Sequence, residues 1–215
     1  MTKKTLFFDN DGVLVDTEHL YFAANKLVLE QNGQNLSLTQ FADISLRQGQ
    51  SVIRNLLPGR SSGELDDLHR QRNLIYSELL QSEPISVSFV EEQLSVLRQK
   101  FRMAVVTSSR REHFDIIHGR LNLLKNFDFV LTREDYSASK PAPDPYLAAI
   151  RRCGESADSC LAIEDSPRGL QSALAAGLEC IVIPNRLLDG SDFDLPCYRI
   201  STFGELLPLL LQQSN

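Results

Sequence analysis

The feature of this sequence that most constrains its fold is a long gap between the first and second of five short apolar segments. The segments lie at residues 5–8, 103–107, 127–131, 160–163 and 180–183, and their Val, Ile, Phe and Leu content is typical of buried strands. Stretches of helical periodicity, at residues 112–123, 145–153 and 167–176, separate the last four segments. This alternation predicts an α/β fold with a Rossmann-like, doubly wound parallel sheet.

The gap runs from residue 9 to residue 102, whereas a crossover between parallel strands needs only about a dozen residues. Helical periodicity recurs inside it at residues 21–31, 38–41, 52–57 and 65–80, and no segment between residues 18 and 81 has the pattern of a strand. We therefore expect an inserted four-helix α cap domain at residues 17–83, with residues 1–16 and 84–215 forming the sheet core. Residues 94–97 then belong to a further helix of that core.

Composition narrows the range of partners. Lys and Arg total 22 against 28 Asp and Glu, and no basic run is present that could follow a phosphate backbone, so a nucleic acid partner is not expected. No apolar stretch approaches the roughly 20 residues of a membrane span, so no membrane partner is expected either. The four cysteines form no C-x-x-C pair, which favours buried thiols in a reducing, cytoplasmic compartment. The length of 215 residues suits one domain with an insertion, and we expect a monomer.

Two pairs of acidic residues directly follow predicted strands. Asp9 and Asp11 follow the first strand, and Glu164 and Asp165 follow the fourth. Because the carboxyl ends of parallel strands meet at one edge of a sheet, these residues are expected to converge. Carboxylates brought together need a positive partner, and a small set of oxygen ligands suits Mg²⁺. The sequence therefore predicts a magnesium site formed by these four residues.

Three further side chains at the same edge predict a phosphate site. Thr107 and Ser108 end the second strand, and Lys140 lies in the loop after the third strand, just ahead of a predicted helix. Together with backbone N–H groups around Asn10, the hydroxyls and the ammonium group can bind three phosphoryl oxygens. The expected partner is a small phosphorylated metabolite, because a bound cation reverses the local field of an acidic protein.

Four motifs occur in a fixed order along the chain. They are FFDNDGV at residues 7–13, VVTS at 105–108, KPAPD at 140–144 and IEDS at 163–166. In order and spacing they resemble the motifs of the haloacid dehalogenase superfamily of hydrolases. The chain looks most like the branch that contains β-phosphoglucomutase and small sugar-phosphate phosphatases, whose helical cap is inserted after the first strand. The resemblance covers nearly the whole chain.

The resemblance implies a Mg²⁺-dependent phosphatase that hydrolyses a small phosphomonoester through an aspartyl-phosphate. The roles that it implies are nucleophile for Asp9, general acid and base for Asp11, phosphoryl ligands for Thr107 and Lys140, and metal ligand for Asp165, aided by Glu164. The chemistry is sound, because a carboxylate can attack phosphorus once a cation offsets its repulsion from phosphate. Asp11 would protonate the leaving alcohol and then accept a proton from water, while its backbone carbonyl could still bind the metal.

The cap is expected to close over the substrate and contact its leaving group. In the resembling family a loop between cap helices makes these contacts, and that loop corresponds here to residues 45–50, with Arg47, Gln48 and Gln50 as the expected ligands. His19 and Tyr21, just after the first connection to the cap, are further candidates. For each of these residues, solvation or packing within the cap is the alternative.

Some residues of this chain differ from the pattern of the resembling family, and these differences distinguish between the activities known in that family. The mutase branch has a histidine where this chain has Tyr21, which favours hydrolysis over the alternative, a β-phosphoglucomutase-like phosphomutase. The dehalogenase branch lacks a second acid, so Asp11 argues against halide chemistry. Phosphonate cleavage needs a cap lysine, whereas the cap's one lysine, Lys26, lies outside the specificity loop. Arg110 and Arg111, which follow Thr107 closely, are expected to face solvent, and the alternative is that they bind an anionic end of the substrate.

A signalling receiver or an inactive binding module could use the same fold class with a phosphorylatable aspartate. Receivers, however, have no long helical insert after the first strand, and they do not need Asp11 as an acid. The insert and the second acid therefore favour an enzyme.

Overall fold

Parallel strands form the central sheet of the protein. The structure, a computed structural model, describes residues 3–188 and 192–212. The strands within these ranges are β1 (Thr5–Phe8), β2 (Arg102–Val106), β3 (Phe129–Leu131), β4 (Cys160–Glu164), β5 (Glu179–Val182) and β6 (Tyr198–Arg199). Their order in the sheet is β3-β2-β1-β4-β5-β6, and every pairing is parallel. The sheet confirms the predicted Rossmann-like fold class, and β6 adds a short strand that the apolar pattern does not predict.

Alternate residues of the central strands face opposite layers of the fold, as the pleat requires. Leu6 and Phe8 of β1 lie in one apolar cluster with Met103 of β2, while Phe7 lies in the other with Ala104. All of these side chains are fully buried. Because both faces of the sheet are covered, the strands are apolar throughout rather than alternating, and this is why they stand out in the sequence.

The α-helices divide between the gap after β1 and the two faces of the sheet. Those in the gap are α1 (Glu18–Gln31), α2 (Leu38–Phe41), α3 (Val52–Leu56) and α4 (Ser62–Ser82). Those on the sheet are α5 (Val90–Leu97), α6 (Arg111–Gly119), α7 (Asp144–Cys153), α8 (Pro167–Ala175) and α9 (Leu206–Gln212). All but α9 overlap stretches that the periodicity predicts to be helical.

One part of the gap differs from the prediction. Residues 45–50 are expected to form a loop, but α2 continues into a π-helical run, Ala42–Arg47. Leu46, one wide helical turn after Phe41, is fully buried with it in an apolar cluster of the insert. Burial of this face keeps the first half of the expected loop helical, and Gly49, with a φ of +67°, turns the chain toward α3.

The two connections between the insert and the sheet pair with each other. The backbone N–H of Asp16 donates to the carbonyl of Ile85 at 3.0 Å, and Val15 forms an antiparallel bridge with Ser86. Residues of α1, the π-helical run, α3 and α4 bury their apolar side chains in a cluster around Phe41. The buried apolar side chains of this cluster thus belong to the insert itself. The two connections, paired at Val15 and Ser86, are called the paired stem below.

The four cysteines are free thiols. Cys153, Cys160 and Cys180 are buried, in line with the prediction, whereas Cys197 is only partly buried. Within residues 3–188 and 192–212, no helix combines the length and the apolar character that crossing a bilayer would require.

Candidate active site

The predicted catalytic residues follow their strands at the carboxyl edge of the sheet. The backbone N–H of Asp9, directly after β1, donates to the carbonyl of Ile163 in β4 at 2.9 Å. Thr107, directly after β2, donates in the same way to Leu131 of β3 at 3.0 Å. These bonds extend the parallel ladder past the strand ends, so the two side chains are fixed relative to each other.

Lys140 is buried and enters the site from the loop before α7. Its Nζ lies 2.9 Å from Asp9 Oδ1, 2.6 Å from Glu164 Oε1 and 2.9 Å from the carbonyl oxygen of Val106. Two of these contacts, to Asp9 and to the carbonyl of Val106, are hydrogen bonds, and the contact with Glu164 is an ion pair. Burial alone would lower the pKa of Lys140, but the charges of Asp9 and Glu164 outweigh burial and raise it. Lys140 is therefore a fixed positive charge beside Asp9.

Asp9, Glu164 and Asp165 form a buried acidic cluster, in which one oxygen of each lies within 4.8 Å of the others. Burial raises the pKa of Asp9 to about 7, with help from the charges of Glu164 and Asp11 and against the opposing charge of Lys140. Burial and the charge of Asp9 also hold the pKa of Asp165 well above its ordinary value. A hard cation would relieve this repulsion, so the all-oxygen cluster fits the predicted Mg²⁺.

Glu164 is tied to protein groups on every side. Its Oε1 accepts a hydrogen bond from the Tyr146 hydroxyl at 2.6 Å as well as from Lys140, and its Oε2 accepts from the backbone N–H of Asp165 at 3.3 Å. Gly169 makes room for the carboxylate, because a Cβ there would lie 1.9 Å from Oε2. Glu164 therefore positions Lys140, a role that the sequence does not predict, besides lying in the acidic cluster.

Asp165 packs against the turn of the first motif. Gly12 has a φ of +83°, and a Cβ on it would lie 1.9 Å from Asp165 Oδ2, so glycine is required both for the turn and for the close approach. The same oxygen accepts a hydrogen bond from Asn185 Nδ2 at 2.7 Å. The sequence reasoning misses Asn185, and the signal that could have found it is its position shortly after β5, at the carboxyl edge of the sheet.

The Asp11 carboxylate faces hydroxyl groups. Thr17 Oγ1 and Ser109 Oγ each donate to it at 2.6 Å, and Thr107 Oγ1 lies 3.3 Å from it. The Asp11 carboxylate is not part of the acidic cluster described above. A bond from Asp11 to a metal would therefore come from its backbone carbonyl. Thr17 and Ser109 are further residues that the sequence reasoning does not single out.

A cavity of about 240 Å³ opens between this edge of the sheet and the insert. The predicted residues Asp9, Asp11, Thr107, Ser108 and Lys140 all line it. The hydroxyl oxygen of Ser108 is buried and has no hydrogen-bond partner among the described residues. A buried hydroxyl without a partner costs free energy, so Ser108 suits a ligand oxygen.

Of the cap residues expected to contact the substrate, Gln50 and Tyr21 line the cavity. Gln48 is exposed and His19 lies 3.3 Å from Asp16, and neither of them lines the cavity. The helical period explains the difference along α1, because Tyr21 faces inward whereas His19, two residues earlier, points to another side. In this conformation neither His19 nor Gln48 lines the cavity, so their contact with a substrate stays a prediction.

Arg47 does not line the cavity either. Its Nε and Nη2 donate to the two carboxylate oxygens of Asp192 at 2.6 and 2.8 Å, and its Nη1 donates to Asp43 at 2.5 Å. The predicted substrate ligand is thus an ion-pair partner that joins the insert to the core. The π-helical run accounts for this orientation, because it holds Arg47 on a helical face rather than in a loop.

Several ionisable side chains that the sequence reasoning does not place here also line the cavity. They are Glu18, Arg72, His113 and Arg168. Burial raises the pKa of Glu18 to about 7, although the charge of Arg168 opposes this rise. Most of these residues lie outside recognisable motifs, so only the packing of the insert against the core brings them together.

The expectation that Arg110 and Arg111 face solvent is correct only in part. Arg110 is more than half exposed and pairs with Glu112 at 3.1 Å, but it also lines the cavity. Arg111 pairs with Asp135 at 3.1 Å, away from the cavity lining.

Comparison with known proteins adds to this geometry. The haloacid dehalogenase-like hydrolases match residues 6–183, which is well over half of the 215-residue chain. The chain belongs to this family. This hydrolase is 31% identical over 195 residues to the phosphorylated carbohydrates phosphatase of Thermotoga maritima, an alignment that covers 87% of the chain and 88% of the relative. It is 29% identical over 184 residues to the fructose-1-phosphate phosphatase of Escherichia coli, with 82% of the chain and 94% of the relative covered.

A solved structure supports the fold of this hydrolase. The family IA, variant 3 haloacid dehalogenase hydrolase from Entamoeba histolytica superposes with a TM-score of 0.85 at 23% identity. The superposition covers 99% of this hydrolase and 100% of that chain. The sheet and the insert thus follow the arrangement of a known family member.

Proposed function

We propose that the chain is a Mg²⁺-dependent phosphatase that hydrolyses a small phosphomonoester through an aspartyl-phosphate. The observation that carries the proposal is the contact of Asp9 with Lys140 inside a buried acidic cluster, next to the separately held Asp11. Phosphoryl transfer of this kind needs a nucleophile, a fixed cation, a set of metal ligands and an acid-base group. Relatives named for phosphorylated carbohydrates, fructose 1-phosphate, glycerol 3-phosphate and phosphoglycolate support a small phosphorylated metabolite as the substrate.

Asp9 is the proposed nucleophile. Lys140 holds one oxygen of its carboxylate at 2.9 Å, and Asp9 lines the cavity. A carboxylate oxygen forms a bond to phosphorus while the bond from phosphorus to the alcohol oxygen breaks. Lys140 and the hydroxyls of Thr107 and Ser108 bind the equatorial phosphoryl oxygens and stabilise the charge that is spread over them.

Asp11 is the proposed general acid and base. It gives its proton to the leaving alcohol, and then it accepts a proton from the water whose oxygen attacks phosphorus. The bond between the Asp9 carboxylate and phosphorus breaks in that second step, which releases inorganic phosphate and regenerates the enzyme. The hydroxyls of Thr17 and Ser109 hold the Asp11 carboxylate on the cavity wall, where proton transfer requires it.

Asp9, Asp165 and the backbone carbonyl of Asp11 would hold Mg²⁺, with Glu164 close enough to assist. When bound, Mg²⁺ supplies positive charge that offsets the repulsion between the carboxylate and the phosphoryl group. Glu164 has a second proposed role, which is to fix the orientation of Lys140 through their 2.6 Å contact. Asn185 fixes Asp165 in a similar way, through the hydrogen bond to its Oδ2.

Residues 17–83 are the proposed cap, and residues 1–16 and 84–215 are the proposed core. The paired stem at Val15 and Ser86 and the separate apolar cluster around Phe41 support this division. Tyr21 and Gln50 bring cap side chains to the same cavity as Asp9. In this arrangement the cap excludes water and places side chains against the leaving group.

Phosphate release from a panel of sugar, polyol and nucleoside phosphates, with and without Mg²⁺, tests the proposal. We expect Mg²⁺-dependent release that falls at least about 10³-fold in Asp9→Asn, which keeps the shape of the side chain but removes the nucleophile. Asp158→Asn is the matched control, because Asp158 is exposed and precedes β4 at the opposite edge of the sheet. Equal release by wild type and Asp9→Asn would overturn the proposal. Isomerisation of a hexose 1-phosphate faster than phosphate release would indicate a phosphomutase instead.

A further inference from the structure

The cap wall of the cavity carries a cation that has no carboxylate within 4.0 Å among residues 3–188 and 192–212. Arg72, on α4, is half-buried and lines the cavity. Its guanidinium carbon lies 4.5 Å above the ring of Tyr21. Its Nε donates to Asn73 Oδ1 at 2.9 Å, and its Nη1 donates to Asn25 Oδ1 at 3.2 Å and to the Tyr21 hydroxyl. All these partners are neutral, so the side chain is held in place while its charge is not compensated.

Other arginines of the insert are paired with carboxylates. Arg47 pairs with Asp43 and Asp192, Arg60 with Glu64, and Arg70 with Asp67. Arg54 and Arg72 have no carboxylate within 4.0 Å in the described part of the chain, and Arg54 is exposed to solvent. Only Arg72 therefore combines partial burial, a position on the cavity wall and an unpaired charge. A guanidinium in such a place favours an anionic ligand.

The other cations of the cavity already have partners or neighbours of opposite charge. Arg110 pairs with Glu112 at 3.1 Å. Arg168 has no carboxylate within 4.0 Å in the described part of the chain, and its buried Nε has no hydrogen-bond partner there. Its charge is nevertheless offset by several acidic side chains, namely Glu18, Asp9, Asp165 and Glu164. Lys140 is fully engaged with Asp9 and the rest of the catalytic cluster. The positive charge available to a second substrate group is thus concentrated at Arg72.

A polar group without a hydrogen-bond partner lies on the core side of the cavity, where Glu112 Oε1 lies 3.7 Å from it. His113, on α6, is only 4% exposed, stacks edge-on against Tyr76 at 4.9 Å between ring centroids, and lines the cavity. Its Nε2 is buried and has no hydrogen-bond partner among the described residues. Tyr76, one helical turn after Arg72 on the same face of α4, is the residue that contacts the His113 ring. A ligand group bound by Arg72 would therefore lie close to the imidazole.

The volume of the cavity limits the size of the ligand. At about 240 Å³, it lies just below the range of roughly 300–1,000 Å³ that is usual for pockets that bind drug-sized ligands. A phosphoryl group at Asp9 then leaves room for an alcohol of only a few carbons. A nucleotide or a long sugar phosphate would not be enclosed.

We propose that the substrate is a small phosphomonoester whose alcohol carries a second anion, and that Arg72 is the ligand of that anion. This inference rests on the phosphatase function proposed above. Phosphorylated hydroxy acids are the class that fits. The phosphoryl group lies at Asp9 and Lys140, and the carboxylate lies at the cap wall. Arg72 acts here as a specificity residue, because it contacts the part of the substrate that leaves.

Two pairs of esters test this proposal, since the members of each pair differ only in the second anion. They are 2-phosphoglycolate against 2-hydroxyethyl phosphate, and 3-phosphoglycerate against glycerol 3-phosphate. We expect kcat/KM to favour the carboxylate in at least one pair by about 10- to 100-fold, the range for a hydrogen-bonded charge. In Arg72→Gln the ratio within that pair is expected to fall to within about threefold of one, and Arg72→Lys is expected to keep part of the preference.

Arg70→Gln is the matched control, because Arg70 lies on the same helix but is exposed, pairs with Asp67 and does not line the cavity. It should keep the wild-type ratio. A wild-type kcat/KM ratio near one in both pairs would overturn the proposal. An Arg72→Gln variant that loses activity equally on both members of a pair would also overturn it, because this result would indicate a purely structural role for Arg72. Hydrolysis of 4-nitrophenyl phosphate separates the two proposals. If the enzyme hydrolyses 4-nitrophenyl phosphate but the kcat/KM ratio within both pairs is near one, only the proposed anion site is wrong. If it releases phosphate from neither 4-nitrophenyl phosphate nor any other ester, the proposed phosphatase function is wrong as well.

Discussion

Glu164 Oε1 lies 2.6 Å from the ammonium nitrogen of Lys140, and both side chains are buried. Tyr146 donates to the same carboxylate oxygen at 2.6 Å. Opposite charges inside a protein are stable together, but removal of one member leaves the other buried without a partner. The position of Lys140 beside Asp9 therefore depends on Glu164, and not only on the backbone that carries the lysine.

Substitution of Glu164 is expected to separate its electrostatic role from its packing role. Glu164→Gln keeps an acceptor oxygen but loses the charge that holds Lys140, so we expect kcat to fall about 10- to 100-fold, as for other residues that orient a catalytic group. Glu164→Ala also leaves the buried Tyr146 hydroxyl without its acceptor and Lys140 without one of its two carboxylate partners, and it is expected to lower the free energy of unfolding by about 3 kcal/mol. Steady-state kinetics and thermal unfolding measure the two effects. Glu179→Ala, at the exposed start of β5, is the control, and equal stability of the two alanine variants would contradict the prediction.

Gly12→Ala is expected to damage the metal site. The new Cβ would lie 1.9 Å from Asp165 Oδ2, and the φ of +83° is unfavourable for alanine. Asp165 must move, so we expect Mg²⁺ affinity, measured by calorimetry, to fall at least about 10-fold. Gly33→Ala is the matched control, because Gly33 has a similar φ of +74° but nothing within 4 Å of its Cβ. That variant should lose only about 1–2 kcal/mol of stability and keep its Mg²⁺ affinity. Similar affinities in the two variants would contradict the prediction.

The stability of the metal-free protein is expected to fall as the pH rises from about 4 to about 7. The pKa of Asp9 is raised from 3.8 to about 7, mainly by burial, so in this window the folded state binds a proton that the unfolded state has released. The folded state loses this advantage as the pH rises through the folded pKa. Glu18, with a pKa raised by burial to about 7, acts in the same direction.

Mg²⁺ is expected to counter this loss, because it binds the ionised carboxylates. The increase in Tm on addition of Mg²⁺ should be larger at pH 8 than at pH 5 by several degrees, at about 2–4 °C for each kcal/mol. Asp9→Asn removes both the titrating group and a ligand, so its metal-free Tm should depend less on pH in this window and respond less to Mg²⁺. A wild-type response to Mg²⁺ that is the same at both pH values would contradict the prediction.

The convergence of the candidate site residues could be predicted from the sequence, because parallel strands bring the residues after their carboxyl ends to one edge of the sheet. Asp9, Thr107 and Asp165 follow strands directly, so their convergence required only the correct sheet. Lys140 lies in a longer loop after its strand, and its position could be predicted because it begins the KPAPD motif at residues 140–144. Local pattern and topology are sufficient for residues of this kind.

The cap contacts could not be predicted in the same way. Arg47 and Arg72 are both insert arginines, and the sequence favours Arg47 because it lies near the expected loop. The structure turns Arg47 toward Asp192 and places Arg72 on the cavity wall. Which of the two faces the cavity depends on how the insert packs against the core, and on the π-helical run that replaces part of the loop. Neither of these features leaves a periodic signal in the sequence.

The ion pair between Arg47 and Asp192 joins the cap to the core at a point away from the paired stem. Two parallel hydrogen bonds, of 2.6 and 2.8 Å, make it bidentate. The two side chains are 30% and 12% exposed, so the pair is partly shielded from solvent. Bidentate, partly buried pairs contribute more than ordinary surface pairs, for which about 0–1 kcal/mol is typical.

A double-mutant cycle of Arg47→Gln and Asp192→Asn is expected to show a coupling free energy of about 1 kcal/mol in thermal or denaturant unfolding. If the pair holds the cap closed, either variant should also raise KM and increase the radius of gyration in small-angle X-ray scattering, because open conformations become more populated. The coupling free energy and the changes in KM and radius of gyration should all be smaller at high salt than at low salt, because salt screens the ion pair. The control is the cycle of Arg60→Gln and Glu64→Gln, a pair that lies entirely within the insert and should couple without changing KM. An unchanged KM and radius of gyration in both Asp192→Asn and Arg47→Gln would mean that the stem and the apolar contacts alone hold the cap against the core.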